Sequence, residues 1–397
     1  DPQARLDYGY NAVGELTPMA KSLIKTYYGK FPDKSYIVGC SNGGRHTMVA
    51  ASRYADKYDG FLAGAPGFNL PQAAVAQLWG AQQYATISNY KDGRPDIFTS
   101  FSSEDTALVS DKIIEKCDAL DGALDHWVGD PLACQELFNI NRDVPTCPDE
   151  EECLSYAQKS VLARIHAGAM DNNGYPLYAN FLWDPGIRSG NWLYWEFVAS
   201  TSLDPGAVGF IFSVPPEVPT GLDWVLNWNG IGFDVDADAP KIYETNDTYT
   251  ESGMSFMTPP DLLMKQLHAK GGKLIVVHGT ADAVFSAADT IYWYEELSAH
   301  YKSHTLDFVR LFLVPGMAHC SGGPSCDRFE LFRALVDWVE RGIEPDSVVA
   351  TVNPGNSEVP SDWTSDRARP LCPYPATPIY NGNGDIESAS SFYCVNP

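Results

Sequence analysis

A glycine-rich turn at residues 39–44 constrains the possible folds of this chain more than any other feature. Its sequence is Gly-Cys-Ser-Asn-Gly-Gly, with the apolar run 35–38 before it and a segment of helical composition, 45–54, after it. A serine in a sharp turn between a strand and a helix, flanked by small residues, is the pattern called a nucleophile elbow. Such a turn exposes the hydroxyl at a helix N-terminus, where backbone N–H groups face developing negative charge. Ser41 is therefore a candidate nucleophile, although many glycine turns match so short a pattern by chance.

Strand and helix patterns alternate on both sides of a long middle segment. At the N-terminal end, a helix is predicted between Thr17-Pro18, as N-cap and first helical residue, and Gly29, as the C-terminal cap. The other predicted elements are strands at 35–38, 60–64, 274–277 and 308–314 and helices at 45–54, 287–301 and 328–341. This alternation predicts a parallel sheet covered by helices.

The middle segment, residues 68–261, lacks the strand–helix repeat and is rich in Trp, Tyr, Asn, Asp and Pro. We therefore predict an α/β domain formed by residues 1–67 and 262–397, with residues 68–261 inserted between them as a lid domain. The tail from residue 350 has many Pro, Asn, Ser and Gly residues and is predicted to be mostly loop.

A candidate acid and a candidate base each follow a predicted strand. Asp282 lies in the loop after the strand at 274–277, and His319 lies in the loop after the next strand. Loops at the carboxyl ends of parallel strands converge on one site, and the chain order serine, aspartate, histidine is that of α/β hydrolases. We therefore predict an α/β-hydrolase fold with the catalytic triad Ser41, Asp282 and His319, and with the backbone N–H of Asn42 as an oxyanion-hole donor.

Each candidate also has a purely structural interpretation. Ser41 alone would be a turn residue, and Asp282 alone would cap the helix that follows it. A buried, hydrogen-bonded loop residue is the commoner role for a histidine such as His278, although its position near Asp282 also makes it a candidate pocket residue. Phe285, three residues after Asp282, is a second candidate for contact with substrate.

Two cysteines flank the proposed triad. Cys40 precedes Ser41 and Cys320 follows His319. If the serine and the histidine meet at hydrogen-bond distance, these neighbours lie close enough for a disulfide. The alternative is two unrelated buried thiols.

Composition excludes several classes of function. The formal net charge of −24 disfavours binding to nucleic acid and to anionic membranes, and no apolar run is long enough to span a membrane. The nine cysteines form no Cys-x-x-Cys pair, so they lack the usual spacing of zinc sites.

Scattered cysteines, including the close pairs 117/134 and 147/153 and a pair in the tail at 372 and 394, favour disulfides in an oxidising compartment. We predict a periplasmic or extracellular protein.

The motifs resemble those of the tannase and feruloyl esterase family, which includes an enzyme that hydrolyses mono(2-hydroxyethyl) terephthalate. The resemblance spans essentially the whole chain, and the segments that carry it are Gly39–Arg45, Tyr58–Gly67, Cys117–Gly122, Leu313–Pro324 and Arg369–Pro375. It implies an α/β-hydrolase fold with a large lid, and a serine esterase that acts on esters of aromatic acids. The disulfides it implies are Cys40–Cys320, Cys117–Cys134, Cys147–Cys153 and Cys372–Cys394, which leave Cys326 unassigned.

Three carboxylates lie close together in the lid, at Asp118, Asp121 and Asp125. Hard oxygen ligands in a compact turn suit calcium, whereas solvated acids of a turn are the alternative. The resemblance implies a structural calcium ion here, held by the three Asp side chains and by the carbonyl groups of Ala123 and Trp127. His126 stands where relatives often have glycine, so the loop departs from the family pattern at that residue.

The elbow comes unusually early for an α/β hydrolase. Only one predicted helix and one predicted strand precede Ser41, whereas the fold normally has several strands there, and the loop that donates a second oxyanion N–H. We therefore expect a further N-terminal segment of the same protein as a partner of this chain.

The reaction that these residues predict is acyl transfer through an ester of Ser41, with no redox or nucleotide cofactor. The terephthalate monoester enzyme of the family binds the free carboxylate of its substrate with a lid arginine, whereas residues 189–240 here contain no Lys or Arg. We therefore predict neutral phenolic esters, such as feruloyl or galloyl esters, as the small-molecule substrates. Hydrolysis of a terephthalate monoester, a serine peptidase activity, and a non-catalytic binding protein on a hydrolase scaffold are the alternatives.

Overall fold

The computed structural model describes residues 1–148, 150–218 and 232–396 of the chain. The strands in these ranges are β1 (Tyr36–Cys40), β2 (Gly60–Gly64), β3 (Asn89–Lys91), β4 (Arg94–Asp96), β5 (Lys273–Gly279), β6 (Val309–Val314), β7 (Arg328–Phe329), β8 (Val348–Thr351), β9 (Ala368–Leu371), β10 (Thr377–Tyr380) and β11 (Phe392–Val395).

The α-helices are α1 (Pro2–Leu6), α2 (Ala12–Tyr28), α3 (Asn42–Arg53), α4 (Leu70–Ala85), α5 (Ser103–Cys117), α6 (Pro131–Leu137), α7 (Ile140–Asp143), α8 (Tyr156–Ala167), α9 (Gly190–Leu193), α10 (Ser200–Ser202), α11 (Asp204–Gly206), α12 (Val235–Asp238), α13 (Gly253–Met257), α14 (Lys265–Lys270), α15 (Ala287–Tyr301) and α16 (Leu331–Arg341). Wider π-helical turns occur at Asp7–Asn11, Tyr194–Ala199 and Ala207–Phe212, and 3₁₀ turns at Ile97–Thr99, Asp118–Asp121, Pro185–Arg188, Ala239–Ile242, Lys302–Asp307 and Ala389–Ser391.

A four-stranded sheet in the order β1-β2-β5-β6 forms the centre of the described structure, and all of its neighbouring strands are parallel. Parallel pairs need long crossover connections, which here contain α3, the long segment between β2 and β5, and α15. The carboxyl ends of β1, β5 and β6 therefore open at the same edge of the sheet. The predicted parallel α/β architecture is correct.

Both faces of the sheet are covered by helices. Side chains alternate along β5, so Leu274 and Val276 pack on one face with α3 and α15, whereas Ile275 and Val277 pack on the other face with α16. All four side chains are buried, and each buried aliphatic residue of this kind stabilises the fold by about 1.5–3 kcal/mol. This explains why the central strands are almost continuously apolar in sequence.

Residues between β2 and β5 are mostly helical and have their own apolar core. This core contains Val109, Leu162, Trp183 and Phe197, and the short hairpin β3–β4 is the one strand pairing within the described part of the segment. No helix in the described residues is long and apolar enough to cross a membrane.

The N-terminal helix differs from its sequence prediction. It begins before Thr17, at Ala12, and Pro18 lies inside it. The Thr17 hydroxyl does not cap the helix, because it donates to the carbonyl of Val13 within the preceding turn. Its predicted end is correct, since Gly29 adopts φ +78° at the C-terminus.

The tail also differs from its prediction, because it contains strands. β8 and β9 form an antiparallel sheet with β7, which precedes the tail and takes the first two residues of the predicted helix 328–341, and β10 pairs with β11. These strands have only two to four residues each, and their partners lie well away in sequence. The local composition, which is rich in turn residues, therefore did not indicate the strand pairing.

Candidate active site

The turn that carries Ser41 has the strained geometry of a nucleophile elbow. Ser41 lies between the last residue of β1 and the first residue of α3, with φ +64° and ψ −127°. Non-glycine residues rarely adopt positive φ, and such strain is typical of functional sites. The first residue of a helix has no N–H partner within the helix, so the N–H of Asn42 is available to an oxyanion beside the serine.

Two of the neighbouring glycines are required by close backbone packing. A Cβ atom on Gly39 would lie 2.5 Å from backbone atoms of Gly43, and one on Gly44 would lie 2.3 Å from the carbonyl oxygen of Gly64. A Cβ atom on Gly43 would meet no atom within 4 Å. The tight approach of the elbow to β1 and β2 therefore depends on Gly39 and Gly44.

Arg45 supports the elbow from behind, a role that the sequence reasoning missed. Its guanidinium is buried, with Nε donating to Asn42 Oδ1 at 2.7 Å and Nη1 donating to the carbonyls of Gly9 and Met257 at 2.8 and 3.1 Å. Burial lowers the pKa of Arg45 to about 10, which leaves it charged at neutral pH. The one available signal was a cation in the first turn of the helix, directly after the elbow glycines.

Asp282 and His319 meet at the carboxyl edge of the sheet. The loops after β5 and β6 place His319 Nδ1 2.8 Å from Asp282 Oδ2. The other carboxylate oxygen of Asp282 accepts the N–H groups of Val284 and Phe285 at 3.0 and 2.9 Å. Burial of Asp282 opposes its ionisation, but the Coulomb attraction of His319 and the hydrogen bonds from His278 and His319 outweigh it and hold the pKa of Asp282 well below its usual range. An ionised carboxylate therefore orients the imidazole ring.

The serine and the histidine are tied together by a disulfide between their neighbours. Cys40 and Cys320 are bonded, with a Cα–Cα distance of 6.0 Å. His319 Nε2 is buried and has no hydrogen-bond partner in the described part of the chain. The rings of Trp195 and Phe285 stand edge-on to His319, with centroids 5.1 and 5.3 Å away. Nε2 of His319 therefore has no hydrogen bond to the described residues and lies among aromatic rings.

A cavity of about 470 Å³ opens beside Ser41. Its lining residues within the described chain are Tyr8, Ser41, Asn42, Leu70, Trp195, Ser202, Leu203, Asp204, Gly206, Ala207, Phe210, Ile211, Phe212, Val284 and Phe285. None of these described residues is a Lys, Arg or His. The wall is apolar and aromatic with few polar groups, as in pockets for small organic ligands.

The two predicted pocket residues occupy different positions. Phe285 lines the cavity. His278 does not: its ring is fully buried, contacts Thr290 Oγ1 at 2.8 Å and the carbonyl of Phe285 at 2.9 Å, and lies 3.3 Å from Asp282. The expectation that His278 contacts substrate is therefore corrected, because the structure makes it a support for the acid.

The acidic lid loop places hard oxygen atoms together in a buried site. Asp118 Oδ1 accepts the N–H groups of Asp125 and Trp127, both at 3.2 Å, and Asp121 Oδ1 accepts that of Ala123 at 3.0 Å. Asp121 Oδ2 is buried without a partner among the described residues, and burial raises the pKa of Asp121 to about 7. Carboxylate oxygens such as these are the ligands that calcium prefers.

The same loop also shows a competing arrangement. The side chain of Arg369 donates to Asp125 Oδ2, and no group of three or more His, Cys, Asp or Glu side chains in the described ranges is arranged as a metal cluster. The unpartnered oxygen of Asp121 remains the feature that fits a cation. His126, which departs from the family pattern, adopts φ +61° and contacts Asp362 at 2.5 Å.

All four expected disulfides are present. Besides Cys40–Cys320 they are Cys117–Cys134, Cys147–Cys153 and Cys372–Cys394. Cys326 is free and buried. Four disulfides fit a protein of an oxidising compartment.

A parallel sheet with a serine elbow after one strand, and an aspartate and a histidine in loops after two others, defines an α/β hydrolase. Comparison with known proteins then gives the family. A family model described as tannase and feruloyl esterase matches residues 1–395, so the chain belongs to that family and is a carboxylic ester hydrolase.

Individual relatives agree with this assignment. The chain is 39% identical over 426 residues to the mono(2-hydroxyethyl) terephthalate hydrolase of Piscinibacter sakaiensis, covering 100% of this chain and 69% of that protein. It is 27% identical to a probable feruloyl esterase B-2 of Aspergillus terreus, covering 99% of this chain and 72% of that protein. The crystal structure of feruloyl esterase B from Aspergillus oryzae superimposes with a TM-score of 0.72 at 25% identity, covering 98% of this chain and 74% of that one.

Proposed function

We propose that this protein hydrolyses esters of aromatic acids through an acyl-enzyme on Ser41. The observation that carries the proposal is the pairing of His319 with ionised Asp282 at 2.8 Å, on a loop joined to the strained serine elbow by the Cys40–Cys320 disulfide. An oriented imidazole on a loop that is bonded to a serine elbow supports activation of the serine hydroxyl as a nucleophile.

In the proposed reaction, His319 Nε2 takes the proton of Ser41 as Oγ attacks the ester carbonyl carbon. The carbonyl oxygen becomes an oxyanion, which accepts the N–H of Asn42. The imidazolium is stabilised by Asp282 and returns its proton to the departing alcohol. Water, deprotonated by the same histidine, then attacks the acyl-enzyme and releases the acid and Ser41.

The cavity supports an aromatic, uncharged acyl group. Trp195, Phe210 and Phe285 are among its lining residues, and aromatic rings of this kind bind a planar ring by stacking and edge contacts. Its described lining residues include no cation, and burying a carboxylate without one is costly. We therefore propose phenolic esters, such as feruloyl or galloyl esters, as the substrates.

Hydrolysis of mono(2-hydroxyethyl) terephthalate is the second candidate, because the hydrolase of that ester from Piscinibacter sakaiensis is 39% identical to this chain. The two candidates differ in the charge of the acyl group. A serine peptidase would share the triad, and turnover of a peptide amide would reveal it.

The deciding experiment compares methyl ferulate, methyl gallate, mono(2-hydroxyethyl) terephthalate, a peptide amide and a short p-nitrophenyl ester. Ser41→Ala and Asp282→Asn serve as variants. We expect turnover of a phenolic ester that Ser41→Ala abolishes and that Asp282→Asn lowers by about 10⁴ in kcat. Turnover of the terephthalate monoester alone would favour the second candidate. Equal inactivity of wild type and Ser41→Ala on every ester would reject the esterase mechanism.

We further propose a structural calcium ion in the lid. Asp118, Asp121 and Asp125 would hold it with the carbonyls of Ala123 and Trp127, and the unpartnered Asp121 Oδ2 supports the assignment. The ion would neutralise buried carboxylates and tie the loop together, without a part in the ester chemistry.

The exposed edge of the sheet at β1 is evidence for our proposal that an additional segment of the same protein lies beside this strand. Val38 of this edge strand is 52% exposed, and unpaired strand edges are usually covered. Leu16, Met19, Leu23 and Tyr27, all apolar or aromatic residues of α2, are also exposed. We propose that the segment pairs with β1 and contributes the second oxyanion N–H. Fusion of such a segment should raise kcat while covering α2.

We also propose that the protein is secreted or periplasmic. The four disulfides support this location, since reducing cytoplasm rarely permits them. Fractionation of the producing cells would test it, and activity confined to the cytoplasm would contradict it.

A further inference from the structure

Asp204 is the acidic residue of the cavity that also contains Ser41. It begins the short helix α11 and is only 4% exposed. Its Oδ2 atom is buried and has no hydrogen-bond partner among the described residues. Buried polar atoms in folded proteins are nearly always paired, so an unpaired carboxylate oxygen on a residue that lines a cavity needs a reason.

The described surroundings of Asp204 offer no cation to neutralise it. The other acid nearby is Glu196, which is buried and accepts a hydrogen bond from the Tyr84 hydroxyl at 2.9 Å. Helices α4 and α10 and the π-helical turn at Ala207–Phe212 pack against α11, and Tyr84 is their one ionisable side chain. Burial, and then repulsion from Glu196, raise the pKa of Asp204 well above its ordinary value.

A carboxyl group in this state is both a hydrogen-bond donor and an acceptor. A neutral hydroxyl on an aromatic ring matches both functions, since it donates one hydrogen bond and accepts another. A carboxylate on the ring matches poorly, because it adds a third acidic group next to Asp204 and Glu196 without a counter-charge. The cavity wall at Asp204 therefore favours a neutral hydroxyl on the ring over a carboxylate.

We propose that Asp204 determines specificity by hydrogen-bonding a hydroxyl group on the aromatic ring of the acyl part of the substrate. The inference rests on the proposed function and adds the residue that recognises the ring hydroxyl of these phenolic esters. Asp204 takes no part in the proton transfers of the reaction. Its contribution is a substrate contact that an unsubstituted ring does not make.

The test measures kcat/KM for methyl cinnamate, whose ring is unsubstituted, and for methyl p-coumarate, caffeate, ferulate and gallate. Asp204→Leu removes the hydrogen-bonding group at similar size, and Asp204→Asn keeps one donor and one acceptor. Asp247→Leu changes an exposed lid aspartate and serves as the matched control. All proteins are compared with the wild type in the same full-length form.

We expect Asp204→Leu to lower kcat/KM for at least one hydroxylated ester by about tenfold to a hundredfold, the effect of losing a buried hydrogen bond. For methyl cinnamate the change should stay within about threefold, a selectivity that misfolding cannot produce. Asp204→Asn should retain most of the preference. Asp247→Leu should behave as wild type on all five esters.

Two failures are distinguishable. If the wild type hydrolyses these esters and Asp204→Leu leaves every ratio to methyl cinnamate unchanged, or lowers all rates equally, the assignment of Asp204 is wrong and the esterase function stands. If the wild type hydrolyses none of the aromatic esters, the proposed function fails and the role of Asp204 fails with it.

Discussion

Cys40 and Cys320 are bonded across 280 residues of sequence and lie directly beside Ser41 and His319, the two residues that exchange a proton in the proposed reaction. Each cysteine is itself in a constrained position, since Cys40 ends β1 and Cys320 has φ +67°. The bond therefore fixes the loop after β6 against the elbow after β1. It links the two loops of the candidate site as well as two distant parts of the fold.

Removing this disulfide should reduce both activity and stability. We expect Cys40→Ser with Cys320→Ser to lose about 3–5 kcal/mol of unfolding free energy, because the freed loop is long, and to lose kcat at least tenfold. The control pair, Cys147→Ser with Cys153→Ser, opens a loop with a separation of only 6 residues. It should lose about 2 kcal/mol and keep kcat. Denaturant unfolding and ester turnover measure the two effects, and equal loss of kcat in both pairs would contradict the link.

Gly39 and Gly43 of the elbow should differ sharply in how well they tolerate replacement by alanine. Gly39→Ala puts a methyl group 2.5 Å from the Gly43 backbone, and we expect a loss of more than about 3 kcal/mol of stability, as for severe overpacking. Gly43→Ala adds a methyl group in open space within α3 and should be neutral or stabilising by up to about 1 kcal/mol. Thermal unfolding of both variants measures this. Similar melting temperatures would show that the backbone relaxes around the methyl group added at position 39.

Glu196 should make stability fall with rising pH. Burial raises its pKa to about 8, although the Tyr84 hydrogen bond lowers it in part. Between the unfolded value near 4.3 and this folded value, the folded state holds a proton that the unfolded state has released. Wild type should therefore lose up to about 1.4 kcal/mol per pH unit more than Glu196→Gln in this window. The exposed Glu115→Gln should follow wild type when unfolding free energies are measured from about pH 5.5 to 7.5. Parallel curves for wild type and Glu196→Gln would contradict the buried, protonated state.

Calcium should stabilise the lid without being required by the chemistry. A chelator should lower the melting temperature by about 1–2 °C per kcal/mol of binding energy, because the unfolding entropy of a chain this long is large. Asp121→Asn should lower it similarly and abolish the response to added calcium. The exposed Asp92→Asn should keep that response. A melting temperature that is insensitive to both chelator and calcium would leave the loop as a set of buried acids paired with Arg369.

Local sequence signals predicted the elements that carry the candidate triad. The Gly39–Gly44 turn, the strand before Asp282 and the helix at 287–301 are contiguous patterns, and the structure has that helix at Ala287–Tyr301. The order of the three residues then predicted the fold class, which the solved relatives share. The disulfide between Cys40 and Cys320 followed from the same order.

Contacts between distant segments that no motif connects were not predictable in this way. Arg45 finds its acceptors on residues 36 and 212 positions away, and the tail strands find partners that no local pattern identifies. His278 was a plausible pocket residue by position, but packing turned its ring toward Thr290 and Asp282.

The sequence by itself determined which residues form the elbow, the candidate acid and the candidate base, because backbone geometry at a glycine turn and loops at strand ends are local properties. The tertiary structure alone decided what surrounds them: the cavity beside the elbow, and the unpaired Oδ2 atom of Asp204, a residue of the cavity wall. The physical reason is that burial and pairing of a charge depend on every segment packed around it. A side chain has no such environment until the chain has folded.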